Sequence, residues 1–220
     1  MHLAQALEAL EALVAEALKD AEYYRASGGG VTVSGGEPLS QHAFVRPFLQ
    51  RLRAHGVRTA IDTCGWAPAP AFAAVLAHSD LVLLDFKLMD PVMHERYTGQ
   101  SNARILENLA AVAAAARVTG APRLWIRTPL IPGVTATAAN LRAMGALLQA
   151  RFGDVVERWE LCAFNGVCAA KYRKLGLSWT FADLPSMSRD DMEAARTAAL
   201  SAGWDRAKLL VSGWVAKEGI

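Results

Sequence analysis

Residues 27–38, S-G-G-G-V-T-V-S-G-G-E-P, constrain this chain more than any other stretch. A glycine cluster leads into Val31, Thr32 and Val33, an apolar run long enough for only one short buried strand. A second glycine pair and an acid follow with no spacer. Glycine at Gly35 and Gly36 lets the backbone take positive φ and removes every side chain that would hold a ligand away from the peptide groups. Pro38 sets the exit of the chain. Glu37 is thereby presented at the carboxyl end of a strand, where open α/β sheets and barrels place their chemistry. Two readings stay open on this stretch alone: a backbone seat for a ligand, or a glycine-rich turn capped by an exposed acid. A nucleotide P-loop is excluded, because no Lys-Ser or Lys-Thr pair follows at the required spacing, and the Rossmann glycine spacing is absent as well.

The rest of the chain alternates between strand and helix patterns. Leu7, Leu10, Val14 and Leu18 recur at helical spacing with Glu8, Glu11, Glu16 and Lys19 between them, which predicts an amphipathic helix over 3–18. Strands are predicted at 31–33, 58–62, 81–86, 123–128 and 156–163, and helices at 43–55, 70–78, 105–118, 138–152 and 189–202. The run L-V-L-L-D-F at 81–86 has the continuous apolar character of a strand covered on both faces. Five or six β-α units without a linker or a repeat predict an α/β fold, a parallel sheet curved toward a partial barrel. A length of 220 residues suits one such domain over 1–220, since a full barrel runs to about 250.

Charge and cysteine usage narrow the function classes. The net charge of +2 comes from interspersed signs with no basic run, so a nucleic-acid partner is not expected. Cys64, Cys162 and Cys168 are an odd number at spacings that match no disulfide framework, which points to a reducing compartment, the cytoplasm. No apolar segment approaches the ~18 residues of a membrane span, and no membrane association is expected.

Polar residues gather where the predicted strands end: Glu37, Asp62 with Thr63, Asp85 with Lys87, Arg127 and Asn165. Each has a plain alternative. Asp62 and Thr63 can cap a helix, Asp85 and Lys87 can form a surface pair, and Arg127 can answer a buried acid. Together on one rim they read as a ligand site. Lys87 at a strand end also permits a Schiff-base lyase or aldolase, with Asp85 or Glu37 as its proton partner.

Seven segments carry a family resemblance. They are residues 27–38, D-T-C-G at 62–65, L-L-D-F-K at 83–87, G-Q-S-N at 99–102, W-I-R at 125–127, I-P-G at 131–133 and K-Y-R-K-L-G at 171–176. On these the chain resembles the radical S-adenosylmethionine enzymes, and within them the glycyl-radical enzyme activases of the pyruvate formate-lyase activating type. The resemblance implies that Gly35, Gly36 and Glu37 hold the amino group of S-adenosylmethionine and that Asp85, Phe86 and Lys87 line the same cofactor. It further implies that Asp62, Thr63 and Asp85 hold a monovalent cation beside the cofactor's carboxylate, and it places Arg127 and Asn165 among the cofactor contacts. The implied activity uses a 4Fe-4S cluster to cleave the cofactor to a 5′-deoxyadenosyl radical, which removes hydrogen from a glycine of a glycyl-radical enzyme. A flavodoxin or ferredoxin is the implied electron donor.

Two departures qualify what the resemblance implies. Where the activases carry P-Y-H this chain has A-F-N, so Asn165 takes the histidine's position, able to hydrogen-bond but not to titrate. The family's C-x-x-x-C-x-x-C is absent: Cys162 and Cys168 have the wrong spacing, and Cys64 stands alone as a small apolar filler. The expectation is therefore that no catalytic residue or cluster ligand lies in these residues. Met1 is then an internal start, or the chain is a fragment truncated ahead of its first β-α unit, and strand 31–33 has an open edge that favours self-association. A non-catalytic remnant that binds S-adenosylmethionine or a partner is the alternative.

Overall fold

A computed structural model describes residues 3–213. The elements run α1 (Leu3–Leu18), α2 (Ala21–Ser27), β1 (Gly30–Val33), α3 (His42–Ala54), β2 (Arg58–Thr63), α4 (Ala69–Leu76), β3 (Leu81–Asp85), α5 (Pro91–Thr98), α6 (Ala103–Thr119), β4 (Arg123–Pro129), α7 (Ala138–Phe152), β5 (Val156–Cys162), α8 (Cys168–Lys174), α9 (Arg189–Leu200) and β6 (Leu209–Ser212). Short 3-10 turns at Pro38–Gln41 and Arg206–Lys208 complete the order. The strands are ordered as in the sequence, β1-β2-β3-β4-β5-β6. This is the α/β class that the alternation predicts. The chain divides into two compact units, Met1–Asp85 with Asn102–Trp125 and Phe86–Ser101 with Ile126–Ile220, so that β4 gives its first residues to one and its last to the other.

In the first unit β1 pairs with β2 and β2 with β3, all parallel, with Val31 opposite Thr59 and Ala60 opposite Leu81. Helix α3 buries Val45, Phe48, Leu49 and Leu52, a stripe at the 3.6-residue period that the sequence carries. The strand at 81–86 departs from expectation. Val82 and Leu84 are fully buried while Leu81, Leu83 and Asp85 are only half-buried. Successive side chains point to opposite faces of a strand, and the second face is not covered: Leu81 and Leu83 line a cavity of about 620 Å³ with Thr32, Ala60 and Trp125.

In the second unit β5 pairs in parallel with β6, Trp159 opposite Leu209. The Trp159 indole N–H donates to the Thr128 hydroxyl at 3.0 Å, and its ring meets Trp204 edge-on. Trp159 has no exposed surface, so this bond satisfies a donor that burial would otherwise leave without a partner. Helix α9 starts on a capping box. The Ser188 hydroxyl accepts from Asp191 N–H at 3.1 Å, and the Asp191 carboxylate accepts from Ser188 N–H at 2.9 Å. Among the described residues no helix is long and apolar enough to cross a membrane.

Candidate functional site

The glycine pair does what its composition predicts. Gly35 has φ 90° and Gly36 φ 57°, values that residues with a Cβ rarely adopt. A Cβ built at either position would meet nothing within 4 Å. The backbone here is bare and open to a ligand, with no side chain between it and solvent.

Glu37 is not the free carboxylate that its position after the glycines suggests. Its Oε1 accepts from Leu39 N–H at 3.0 Å and from the Thr63 hydroxyl at 2.6 Å, and its Oε2 accepts from Cys64 N–H at 2.8 Å. An ionised carboxylate offers about four lone-pair sites, and three are taken. Glu37 thus clips the end of β1 to the end of β2 and caps the 3-10 turn at Pro38. Charge-assisted bonds of this length are the stronger kind.

Thr63 is 2% exposed, and its hydroxyl also accepts from Gly65 N–H at 2.9 Å. In the ladder Asp62 stands opposite Leu83 and Thr63 opposite Leu84. Asp62 and Asp85 therefore share the half-buried face, and the Thr63 side chain lies on the other. Ser34 Oγ reaches Asp62 Oδ2 at 3.4 Å on that face. Of the three residues of the expected cation site, Asp62 and Asp85 lie on one face of neighbouring strands, and the Thr63 side chain lies on the opposite face.

The loop after Thr63 is held from α6. Asn108, 2% exposed, donates from Nδ2 to Gly65 O at 2.8 Å and to Ala67 O at 3.0 Å. One turn earlier Arg104 stacks its guanidinium 4.5 Å from the centre of the Trp66 ring. Neither Asn108 nor Arg104 was expected as a site residue. The signal for Asn108 lay in the sequence as a lone amide inside the apolar stripe Ile105, Leu109, Val112.

In the second unit Phe86 has no exposed surface. Its N–H donates to Arg127 O and its carbonyl accepts from Thr128 Oγ1, both at 2.8 Å. The Lys87 carbonyl accepts from Asn140 Nδ2 at 3.0 Å, and Asn140 Oδ1 accepts from Met89 N–H at 2.9 Å. The buried amide of Asn140, on the first turn of α7, thus fixes residues 87–89. Arg127 faces Glu160, Nε to Oε2 at 3.7 Å, and Nη2 lies 3.9 Å from Cys162 Sγ. Burial pushes the Cys162 thiol above its ordinary pKa, with the nearby Arg127 guanidinium opposing that rise. Asn165 Oδ1 accepts from Val167 N–H at 3.1 Å, a local turn that leads into α8.

Cys64 and Cys162 are half-buried and Cys168 is exposed. Among the described residues no group of three or more His, Cys, Asp or Glu side chains is placed to hold a metal ion. The donor set of a 4Fe-4S cluster, cysteine thiolates gathered at one point, does not fit the residues described. A ligand held by backbone groups does fit the bare Gly35–Gly36 turn.

Comparison with known proteins gives a consistent picture. The model of the Radical SAM superfamily matches residues 8–140. The chain is 36% identical over 170 residues to the (2S)-3-sulfopropanediol dehydratase activating enzyme of Klebsiella oxytoca, covering 77% of this chain and 52% of that protein. It is 38% identical over 195 residues to the pyruvate formate-lyase 2-activating enzyme of Escherichia coli strain K12, covering 88% of this chain and 64% of that one. The chain thus spans between half and two thirds of these relatives' length. A crystal structure of a domain of pyruvate-formate lyase-activating enzyme from Bacteroides vulgatus superposes with a TM-score of 0.64 at 26% identity, over 84% of this chain and 99% of that domain.

Proposed function

Because the chain belongs to the radical SAM superfamily, we propose that it is the S-adenosylmethionine-binding part of a glycyl-radical enzyme activase, with Gly35 and Gly36 as the seat of the cofactor's amino acid moiety. The observation that carries this reading is the pair of left-handed glycines with open space over both Cα atoms, held in place by a carboxylate that ties two strand ends together. Backbone carbonyls beside a negative charge suit an ammonium group. Glu37 contributes that charge while its oxygens fix the turn, and Asp62 and Asp85 add two more acids on the shared face of β2 and β3. The same reading gives Asp62, Thr63 and Asp85 to a monovalent cation.

The whole protein's activity, in this proposal, is removal of a hydrogen atom from a glycine of a partner enzyme by a 5′-deoxyadenosyl radical. A 4Fe-4S cluster supplies the electron chemistry when bound, and a flavodoxin or ferredoxin reduces it in the cytoplasm. The residues described here bind and orient the cofactor; none is assigned a bond-breaking role.

Titration calorimetry with S-adenosylmethionine tests the reading. Saturable binding to the 220-residue chain is expected, weakened about tenfold or more in Gly36→Val, where a β-branched residue is forced to positive φ. It is weakened also in Asp62→Asn with the fold unchanged by circular dichroism. Absence of binding in the unmodified chain, or full affinity in Gly36→Val, overturns it.

A further inference from the structure

We propose that Asn108 of α6 is a positioning residue for the cofactor seat, acting through the loop at 65–67 on Thr63 and Cys64, and through these on Glu37 and the Gly35–Gly36 turn. The inference rests on the reading of that turn as the seat of S-adenosylmethionine.

A single path of short hydrogen bonds carries it. Asn108 Nδ2 spends both of its protons on one loop, at Gly65 O and Ala67 O. Gly65 N–H donates to the Thr63 hydroxyl, which itself donates to Glu37 Oε1 at 2.6 Å. Cys64, between them in the chain, gives its N–H to the other oxygen of Glu37. Glu37 directly follows Gly36. Three hydrogen bonds and one covalent step therefore connect a buried amide on α6 to the bare turn, and no charged group intervenes other than Glu37 itself.

The surroundings show that the loop has one place to sit. Gly65 has φ 69°, and a Cβ there would lie 3.1 Å from Leu84 Cδ1 and 3.7 Å from Ile105 Cγ2, so its backbone presses against both β3 and α6. Arg104, four residues before Asn108 and on the same helix face, lies over the Trp66 ring. Helix α6 thus grips the loop at Gly65, Trp66 and Ala67.

An amide is a poor choice for that helix position on packing grounds alone. Its neighbours on the stripe, Ile105, Leu109 and Val112, are buried and apolar, and a leucine would fill the site without a polar group to desolvate. What the amide adds is direction: two donors aimed at two carbonyls specify the loop's conformation, whereas an apolar contact would only fill space. A loop left to alternative conformations would present Thr63 and Cys64 to Glu37 only part of the time, and ligand affinity falls with the fraction of the competent state.

Amide hydrogen exchange and S-adenosylmethionine titration, run on the same 220-residue chain, test the proposal. Asn108→Asp keeps the shape, loses both donors and turns acceptors toward Gly65 O and Ala67 O. Exchange at the Cys64 and Leu39 amides, the two backbone donors to Glu37, is expected to accelerate about tenfold or more. The Val82 and Leu84 amides of β3 are expected to keep their protection, and cofactor affinity to fall by a comparable factor. Thr63→Val, which cuts the path one bond further on, should reproduce the pattern, and Thr63→Ser, which restores the hydroxyl, should reverse it. These two variants keep the test alive if Asn108→Asp does not fold.

Unchanged exchange at Cys64 and Leu39 in Asn108→Asp or Thr63→Val overturns the coupling. Equal acceleration at Val82 and Leu84 reduces Asn108 to a general support of the fold and overturns it too. So does faster exchange at the two amides with cofactor affinity unchanged. If the exchange pattern holds while even the unmodified chain binds no S-adenosylmethionine, the failure falls on the cofactor reading, and the coupling from Asn108 to Glu37 stands.

Discussion

The two units hold their strand-end loops with the same device and finish them differently. In each, a buried asparagine on a helix later in the chain donates to backbone carbonyls: Asn108 of α6 to Gly65 and Ala67 in one loop, Asn140 of α7 to Lys87 and Thr135 in two. In the first unit the loop then feeds a carboxylate, Glu37, with three donors at 2.6–3.0 Å. In the second the polar side chains at the strand ends stand farther apart, Arg127 at 3.7 Å from Glu160 and 3.9 Å from Cys162. The difference teaches that the glycine turn is pre-set by bonds within its own unit, so a ligand arriving there meets a formed seat.

The sharpest way to break this contrast is Glu37→Ala. It leaves Leu39 N–H, Cys64 N–H and the Thr63 hydroxyl without their acceptor, and a stability loss of about 2 kcal/mol or more is expected from charge-assisted bonds of this kind. Urea denaturation followed by tryptophan fluorescence reads it; a loss under about 0.5 kcal/mol, the scale of an ordinary surface change, would show that the clip is not tight.

A smaller effect is expected from the second unit's capping box. Ser188→Ala removes the N-cap of α9 and should cost about 1 kcal/mol. The linkage has a definite sign. The Asp191 carboxyl is held below its ordinary value of 3.8 first by the Ser188 N–H and then by the Ser188 hydroxyl. A depressed folded-state pKa contributes stability that is present above the unfolded value and is lost as pH falls through the folded one. The residue-188 N–H survives Ser188→Ala, so only the hydroxyl's share enters the difference from the unmodified chain, which should be full at neutral pH and shrink in part below about pH 3.8. A difference that grows on acidification contradicts the assignment.

The smallest effect belongs to Arg127→Met, which should change stability by no more than about 0.5–1 kcal/mol, as expected of a partly exposed ion pair. Its signature lies in reactivity. Burial raises the Cys162 thiol and the Arg127 guanidinium opposes it, so removing the guanidinium raises the thiol further and slows its alkylation by iodoacetamide near pH 8. Exposed Cys168 serves as the internal reference. Faster labelling of Cys162 in the variant would mean that Arg127 shields the thiol sterically more than it charges it.

Much of the framework was legible residue by residue. The stripe Val45, Phe48, Leu49, Leu52 announced α3, and the glycine pair announced the positive φ at Gly35 and Gly36. Helix α5 was missed because P-V-M-H-E-R-Y-T has little apolar periodicity; its start rests on Asp90, whose carboxylate accepts from Val92 N–H and Met93 N–H. Strand β6 was missed because L-L-V-S is too short to show a period, and it is a strand only by its pairing with β5. The full coverage expected of 81–86 was wrong for the converse reason: an apolar run does not say whether anything lies over its second face.

The residues at the site divide along the same line. That Gly35 and Gly36 bend the chain into a bare turn is local chemistry, decided by the absence of two β-carbons, and the sequence by itself determined it. So too the placement of Asp62 and Asp85 at strand ends follows from alternation within their own segments. Where the Glu37 carboxylate points is not local. Its acceptors are filled from residues 26 and 27 positions later in the chain, and those residues are in turn set by Asn108, 43 positions beyond Gly65. A side chain's own sequence neighbours fix its backbone, but a hydrogen bond is satisfied by whichever donor the fold brings within 3 Å. Only the tertiary structure could decide that the acid after the glycines is a clip between strands.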